Sequence, residues 1–203
     1  MNTVYFSAQF DSSASDPYHC PESLVEVAFA GRSNAGKSSA INTITRNGKL
    51  ARTSKTPGRT QLINHFSLGE GKFLVDLPGY GYAQVSKDQQ KKWQASMTQY
   101  LVSRDSLRGL VLVMDIRHPL TDSDWQLIEL NQRGQAELHI LLTKSDKLSK
   151  NQVAAAVMSV QEALSKADVA ATLQNFSALK KQGIEDVHAI LDYWLFDIPL
   201  AEN

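Results

Sequence analysis

The sequence predicts an α/β fold in three layers, with a mostly parallel sheet between two layers of helices. Short apolar runs alternate with segments of helical periodicity from residue 24 onward, as in parallel sheets covered on both faces. The run GLVLVMDI (109–116) is almost continuously apolar, which is typical of a strand buried on both faces. The runs LINHFSL (62–68) and KFLVDL (72–77) are joined by GEG, which indicates a hairpin and one antiparallel edge strand.

The remaining elements follow from the same patterns. We predict strands at 24–30, 137–143 and 171–177, helices at 37–46, 87–103, 122–131, 149–167 and 183–195, and flexible loops at 49–61 and 78–86. Residues 1–22 are mixed and polar, and DSSASDP (11–17) is typical of a loop or a loosely held arm. We therefore divide the chain into an N-terminal arm at 1–22 and one domain at 23–203.

Composition narrows the class of protein. The 203 residues include 21 basic and 21 acidic ones, so the net charge indicates neither a nucleic-acid nor a membrane partner. Between Glu26 and Glu70, however, there is no acidic residue and there are seven basic ones. This region faces either the phosphates of a nucleotide or, in addition, RNA. One cysteine, no signal-peptide pattern and no apolar run of about 20 residues predict a cytoplasmic protein without a membrane partner.

The segment from Gly31 to Ser38 matches G-x-x-x-x-G-K-[ST] and follows the apolar run VEVAFA directly. In this spacing, successive backbone N–H groups surround a phosphate at the start of a helix. We expect the backbone of residues 33–38 to hold the phosphates of a nucleotide. Lys37 is expected to reach the β and γ oxygens, and Ser38 to ligate Mg²⁺.

A second motif, FLVDLPGYG (73–81), places an acidic residue at the end of an apolar strand. Asp76 therefore lies at the carboxyl edge of the sheet, where nucleotide sites of open α/β sheets are found. A carboxylate there can hold Mg²⁺ through its water shell. Gly79 lacks a side chain, so its N–H can approach a γ-phosphate.

Two further motifs indicate that the base is guanine. In LLTKSDK (141–147), the carboxylate of Asp146 can accept hydrogen bonds from both N1–H and N2–H₂ of guanine, whereas adenine leaves it unmatched. Lys144 can lay its aliphatic stem over the base. In NFSALK (175–180), the backbone N–H of Ala178 can donate to guanine O6.

Together these motifs resemble the translation-factor class of P-loop GTPases. Within that class GRSNAGKSS, TPGRTQLINHF, DLPGYGYA, TKSDK and FSALK resemble the EngB family of bacterial ribosome-assembly GTPases, over about residues 24–196. The resemblance implies a P-loop GTPase fold and a monomeric switch that binds GTP or GDP. It also implies a role in maturing the large ribosomal subunit through contacts with rRNA and ribosomal proteins, and hence in growth and division.

The resemblance also assigns roles within the site. Thr60 precedes LINHF and matches the GRTQ of the family, so it is expected to sense Mg²⁺ and the γ-phosphate, with Thr56 as a distant second choice. The expected catalytic residues are Lys37, Thr60 and Gly79, and the expected metal ligands are Ser38, Thr60 and Asp76. The expected nucleotide-binding residues are Gly31, Arg32, Ser33, Asn34, Ala35, Gly36, Lys37, Ser38, Gly58, Arg59, Thr60, Gln61, Leu62, Asp76, Leu77, Pro78, Gly79, Thr143, Lys144, Ser145, Asp146, Phe176, Ser177 and Ala178.

Three positions qualify this reading. Thr143 stands where the base-recognition motif of GTPases usually has Asn, and Tyr80 stands where many GTPases have a Gln that orients water. Because Tyr cannot do this from the same position, we expect slow hydrolysis without a partner. In related GTPases with NAGKSS, the Asn helps to hold K⁺, so Asn34 either does the same or only shapes the loop.

The predicted function is therefore a slow GTPase in which GTP orders residues 50–60 and 77–86 and a basic loop at 46–59 faces rRNA. Two alternatives remain open at this point. One is an interaction module that binds GTP without turnover, an alternative that Tyr80 leaves open. The other is a P-loop ATPase or kinase, which the guanine motifs disfavour.

Overall fold

The computed structural model describes residues 2–52, 62–80 and 87–200, and of residues 87–90 the backbone alone. The strands in this part of the chain are β1 (Gln9–Ala14), β2 (Val25–Gly31), β3 (Ile63–Gly69), β4 (Lys72–Asp76), β5 (Leu107–Asp115), β6 (Glu137–Thr143) and β7 (Thr172–Asn175). The α-helices are α1 (Lys37–Ile44), α2 (Lys87–Ser103), α3 (Asp122–Asn131), α4 (Lys150–Lys166) and α5 (Ile184–Phe196). Short 3₁₀ turns lie at Val4–Ser7, Pro17–His19 and Ser145–Lys147.

The predicted α/β fold is confirmed. The strands that the structure describes form one sheet in the order β1-β3-β4-β2-β5-β6-β7. The pairs β4–β2, β2–β5, β5–β6 and β6–β7 are parallel, whereas β3 runs antiparallel to both of its neighbours. Each predicted helix and strand lies within two residues of its observed bounds. Helix α1 ends earlier than predicted, since Arg46 has a left-handed φ of 52° that interrupts the helix.

The predicted loop or loosely held arm at 11–17 is wrong for residues 11–14. These residues belong to β1, which pairs with β3 from Gln9↔Ser67 to Ala14↔Ile63. The antiparallel strand β3 is therefore not at the edge of the sheet, because β1 covers its outer side. Polar residues form this strand because β3 offers unpaired backbone N–H and C=O groups, a tertiary effect that outweighs local propensity.

The segment before β1 packs firmly against α5. The buried ring of Tyr5 stacks on His188 with centroids 4.5 Å apart, and its hydroxyl donates to Asp192 Oδ1 at 2.7 Å. The Asn2 amide donates to the same carboxylate oxygen at 3.0 Å. The start of the chain is thus held by packing and hydrogen bonds. The division of the chain between residues 22 and 23 stays a prediction.

Each face of the sheet carries its own core. Alternate residues of β2 divide between the faces, as expected for a strand buried on both sides. Ala28 and Ala30 join the core formed with α2, α3 and α4, while Val27 and Phe29 join the core formed with α1, α5 and the N-terminal segment. The predicted apolar face of α2 is confirmed, since Met97, Tyr100 and Leu101 are buried in the first core and Trp93 packs against it.

A buried ionic cluster fixes the end of α2 at the amino edge of the sheet. Glu26, which is fully buried, accepts hydrogen bonds from the Tyr100 hydroxyl at 2.6 Å and from Arg104 Nε at 3.0 Å. Burial raises the pKa of Glu26, but these hydrogen bonds outweigh it and lower the pKa below its ordinary value. Helix α2 is thereby anchored at the edge opposite the motifs.

The sequence motifs meet at the carboxyl edge of the sheet. Gly31, Asp76, Asp115 and Thr143 are the last residues of β2, β4, β5 and β6, and these four strands are parallel neighbours. This edge is where open α/β sheets bind nucleotides. Within the described ranges, none of the helices has the length and apolar character needed to cross a membrane.

Candidate nucleotide-binding site

The glycine loop depends on glycine at both ends. A Cβ on Gly31 would lie 2.6 Å from the carbonyl oxygen of Val113, so only glycine allows β2 to pack this closely on β5. Gly36 has a φ of +102°, a conformation that favours glycine, and directly precedes α1. The chain therefore turns from β2 into the first turn of α1, where backbone N–H groups can bind phosphate.

The glycine loop is bonded to the loop that follows β4. Arg32 and Tyr80 form an isolated parallel bridge, in which the Ser33 N–H donates to the Tyr80 carbonyl at 3.0 Å. The Leu77 N–H donates to the Phe29 carbonyl at 3.0 Å. Backbone hydrogen bonds therefore join the end of β2 and the glycine loop to the loop that follows β4.

Lys37 and Asp76 form an ion pair at the centre of this edge. The Asp76 side chain is only 4% exposed, and the Lys37 side chain 11%. Ser38, the next residue of α1, adds a hydroxyl, and Gly79 follows Asp76 by three residues. The ion pair thus joins the glycine loop motif to the motif that follows β4.

Magnesium fits this donor set. Mg²⁺ is usually held by one or two carboxylates, by hydroxyls and by the phosphates of its substrate. Ser38 and Asp76 are oxygen donors of this kind. In the described part of the chain, no cluster of three His, Cys, Asp or Glu side chains is arranged to hold a metal by itself, so phosphate oxygens would have to complete the coordination.

The side chain of Tyr80 is buried in the core that α2, α3 and α4 form on one face of the sheet. Its hydroxyl donates to Asp124 Oδ1 at 2.8 Å, and its ring packs against Trp93 with centroids 5.6 Å apart. The other Asp124 oxygen accepts hydrogen bonds from the backbone N–H and the hydroxyl of Thr121, which cap α3. Burial, and next the charge of Asp124, raise the pKa of Tyr80 well above its ordinary value, so the phenol stays protonated.

The carboxylate predicted to recognise guanine is held in place by a neighbouring hydroxyl. The Ser177 hydroxyl donates to Asp146 Oδ1 at 2.6 Å, and Lys147 Nζ lies 3.7 Å from Oδ2. The hydrogen bond from Ser177 lowers the pKa of Asp146 below its ordinary value. Asp146 is therefore a charged acceptor, as the two guanine donors require.

Lys144, directly after β6, connects the loop that carries Asp146 to the glycine loop. Its ammonium donates to the carbonyl of Asn34 at 2.6 Å and lies 2.9 Å from Asp115 Oδ2. Lys144 and Asn34 both have left-handed backbones, with φ of 61° and 64°. These conformations turn the two loops toward each other.

Thr143 binds backbone rather than facing a base. Its hydroxyl lies within hydrogen-bonding distance of the carbonyls of Ala35 and Met114, the latter at 3.0 Å. The side chain of Thr143 also lies next to Gly36, where a Cβ would be 3.3 Å from the hydroxyl oxygen. At the position where other GTPases have Asn, this residue thus joins β6 to β5 and to the glycine loop.

Comparison with known proteins shows the family to which this chain belongs. A family model described as "50S ribosome-binding GTPase" matches residues 26–144. A probable GTP-binding protein EngB from Klebsiella pneumoniae subsp. pneumoniae is 51% identical over 202 residues, which cover 99% of this chain and 96% of the relative. That of Salmonella newport is 50% identical over 203 residues, covering 100% of this chain and 97% of the relative. This chain belongs to the EngB family of GTP-binding proteins.

Solved structures share the fold. The crystal structure of a probable GTP-binding protein engB matches 86% of this chain and 100% of that chain, with a TM-score of 0.67 and 22% identity. Era in complex with MgGDPNP and nucleotides 1506–1542 of 16S ribosomal RNA matches 90% of this chain and 59% of that chain, with a TM-score of 0.66 and 17% identity. At these identities the structures support the fold alone. Family membership makes this EngB protein a GTPase that binds GTP and GDP.

Most of the predicted site residues lie together in this EngB protein. Residues 31–38, 76–79 and 143–146 meet at the carboxyl edge, and 176–178 follow β7 beside Asp146. Phe176 is fully buried, and its carbonyl accepts a hydrogen bond from the Ser145 N–H at 3.2 Å. It therefore supports the loop at 143–146 from inside the core. Leu62 is 42% exposed. Gly58, Arg59, Thr60 and Gln61, together with Thr56, lie outside the described residues.

Sequence reasoning missed three residues that surround this site. Asp115 and Arg117 lie beside Lys144, and Asp124 accepts the Tyr80 hydroxyl. A signal for Asp115 was present, since an acidic residue ends an apolar strand there just as Asp76 does in β4. Asp124 carried no such signal, because its bond to Tyr80 spans 44 residues.

Proposed function

We propose that this EngB protein is a cytoplasmic GTP-dependent switch that acts in assembly of the large ribosomal subunit, as a monomer, and is thereby needed for growth and division. Its partners would be rRNA and ribosomal proteins, with the basic segment at 46–59 facing the RNA. The description of the matching family model as a 50S ribosome-binding GTPase supports this role. The Era structure with bound ribosomal RNA is a further example of ribosomal RNA binding by a protein of this fold.

The observation that carries the nucleotide assignment is the arrangement around Asp146. Its carboxylate is oriented by Ser177, and the Lys144 ammonium is fixed on the glycine loop. A carboxylate that accepts two hydrogen bonds from guanine discriminates against adenine by roughly 1–3 kcal/mol. This favours GTP over ATP and disfavours the ATPase or kinase alternative.

The proposed reaction is attack of water on the γ-phosphorus. The new P–O bond forms as the bond to the β–γ bridging oxygen breaks, and the products are GDP and inorganic phosphate. Lys37 would exchange Asp76 for the β and γ oxygens, and the Gly79 N–H would donate to the γ-phosphate. Ser38, Asp76 and the predicted ligand Thr60 would hold Mg²⁺, and the chemistry that this ion would supply is neutralisation of phosphate charge.

The contacts of the Tyr80 side chain support the proposal that hydrolysis is slow without a partner. Its hydroxyl is bonded to Asp124 and its ring is packed on Trp93, so this side chain is not placed to orient a water molecule. A group from the ribosome, or K⁺ held with the help of the exposed Asn34, would supply the missing stabilisation. The same observation favours a second candidate function, a GTP-binding interaction module without turnover.

The test is the initial rate of phosphate release from GTP by the full chain, alone and with purified large ribosomal subunits. We expect strong stimulation by large subunits and little by small subunits, and a faster rate in KCl than in NaCl at equal ionic strength if K⁺ takes part. The Asp146→Asn variant is the control, since its affinity for GTP should fall and its affinity for xanthosine nucleotides should rise. Tight GTP binding without stimulation would contradict a ribosome-gated GTPase and favour the module.

A further inference from the structure

We propose that Asp115 and Arg117 are positioning residues for guanine nucleotides, because they fix Lys144 between the glycine loop and the base. Neither residue belongs to a nucleotide-binding motif of the sequence. The proposal rests on the GTP site described above and adds a second carboxylate to it, with a role different from that of Asp146.

The register of the sheet brings Asp115 to this place. Asp115 ends β5 and pairs with Thr143, which ends β6 and directly precedes Lys144. The Asp115 side chain is 9% exposed, so its charge interacts with few water molecules. The Asp115 carboxylate and the Lys144 ammonium, on neighbouring strand ends, can therefore form a persistent ion pair.

Arg117 fixes the orientation of the Asp115 carboxylate. Arg117 Nε donates to Oδ1 at 2.9 Å, Nη2 donates to Oδ2 at 2.6 Å, and the backbone N–H of Arg117 donates to Oδ1 at 3.1 Å. Two parallel hydrogen bonds from a guanidinium hold a carboxylate in one plane. The same Oδ2 then faces the Lys144 ammonium at 2.9 Å.

The charge state of Asp115 agrees with this arrangement. Burial raises the pKa of Asp115, but hydrogen bonds from Arg117 and Lys144 outweigh burial and hold the pKa well below its ordinary value. Asp115 is therefore ionised throughout the physiological range. A carboxylate that keeps its charge gives Lys144 a permanent partner.

With Asp115 in place, the Lys144 ammonium has two anchors, the Asn34 carbonyl and the Asp115 carboxylate. A lysine side chain loses considerable rotamer entropy when it is fixed. If the Lys144 side chain is fixed before the nucleotide binds, the binding free energy of the nucleotide does not have to offset this loss of entropy. The aliphatic stem of Lys144 is then already stretched along the surface on which guanine is expected to lie.

The two carboxylates of the site make different predictions. Asp146 is expected to accept from the guanine edge, so its loss changes which base is preferred. Asp115 acts only through Lys144, so loss of Asp115 should lower the affinity for every purine nucleotide by the same factor. Inosine nucleotides, which lack the 2-amino group of guanine, separate the two roles.

The experiment measures dissociation constants of GDP and IDP for the Asp115→Asn variant of the full chain. We expect both constants to rise about tenfold, as for loss of a charged hydrogen bond at a partly buried site, with an unchanged GDP/IDP ratio. In a Lys144→Ala background, Asp115→Asn should add less than about twofold. Asp105→Asn is the matched control, because this exposed residue precedes β5 at the opposite edge of the sheet.

A full tenfold loss in the Lys144→Ala background would overturn the proposal, and so would an unchanged affinity or a changed GDP/IDP ratio. Thermal unfolding of each variant shows whether it is folded. If Asp115→Asn does not fold, Arg117→Ala is the second test, since this side chain is 42% exposed, and it should weaken both nucleotides about threefold. Failure of the wild-type chain to bind GDP would contradict the nucleotide site itself, which is a different outcome.

Discussion

The guanine side and the γ-phosphate side of the site are built in opposite ways. On the guanine side, Asp146 is oriented by Ser177, and Lys144 is held by Asn34 and Asp115. These supporting groups can stay in place when the base binds. On the γ-phosphate side, Lys37 and Asp76 are bonded to each other. Binding of a phosphate and Mg²⁺ there requires this pair to separate.

The difference teaches how one site can bind two nucleotides and still distinguish them. A preformed guanine side contributes the same binding free energy to GDP and to GTP. The phosphate side must rearrange, and the free energy of that rearrangement depends on whether a γ-phosphate is present. Changes on the guanine side should therefore weaken both nucleotides equally, whereas changes on the phosphate side should alter the ratio between them.

Lys37→Ala is expected to change nucleotide affinity the most, and it tests the γ-phosphate side of the site. The variant loses the cation that we propose to reach the β and γ oxygens, and it leaves the buried Asp76 carboxylate without its partner. We expect a loss of about 100-fold or more in affinity for a non-hydrolysable GTP analogue and a smaller loss for GDP. Both are measured by titration of fluorescent nucleotides.

The exposed Lys166, at the end of α4, provides a matched control, since Lys166→Ala removes the same charge away from the site. An equal loss of GDP and GTP analogue in Lys37→Ala would show that Lys37 does not distinguish the γ-phosphate. The proposed difference between the two sides would then fail.

Ser177→Ala sharpens the comparison on the guanine side, with an intermediate effect. The variant loses the hydrogen bond that orients Asp146 and lowers its pKa. We expect about fivefold weaker binding of GDP and of the GTP analogue alike at neutral pH. The control is Ser165→Ala at an exposed position of α4.

The same variant makes a prediction about pH. In the proposed site, guanine binds the ionised carboxylate of Asp146, so we expect the affinity to be constant above the pKa of Asp146 and to fall as the pH drops through it. Without Ser177 the pKa of Asp146 rises toward its ordinary value, and the loss of affinity should begin at a higher pH than in the wild type. Titration of GDP affinity from about pH 6 down to about pH 3 tests this, because the ordinary pKa of Asp is about 3.9 and that of Asp146 lies below its ordinary value. An identical pH profile would show that Ser177 does not set the charge of Asp146.

The sequence was sufficient for most of the fold and for the motifs, because these depend on local periodicity and spacing. Gly31, Lys37 and Asp76 each end or begin an element whose bounds the pattern predicts within two residues, and Asp146 follows the predicted strand β6 by three residues. Strand β1 was missed, because its polar residues have little strand propensity and pair only because β3 has a free edge.

Side-chain directions within the site were beyond the sequence. The pattern S-A after β7 predicts that the backbone N–H of Ala178 contacts guanine, which stays a prediction, but it did not predict the hydrogen bond from the Ser177 hydroxyl to Asp146. Asp115 has no motif around it and acquires its neighbour Lys144 only through the register of β5 and β6. Such contacts depend on tertiary packing between residues that are far apart in the sequence, so a short sequence segment does not reveal them.

Tyr80→Phe should have the smallest effect on GTP hydrolysis. This variant tests whether the Tyr80 hydroxyl takes part in the reaction at the γ-phosphate. The phenyl ring keeps the contact with Trp93, while the buried Asp124 oxygen loses its donor. We expect a loss of about 1 kcal/mol in the free energy of unfolding, measured with denaturant, and a single-turnover hydrolysis rate within about twofold of the wild type. Tyr18→Phe, at an exposed tyrosine, should change neither quantity. If Tyr80→Phe instead slows hydrolysis tenfold while stability is unchanged, the hydroxyl leaves Asp124 and acts on the nucleotide during turnover, and the contrast between the two sides would extend to catalysis itself.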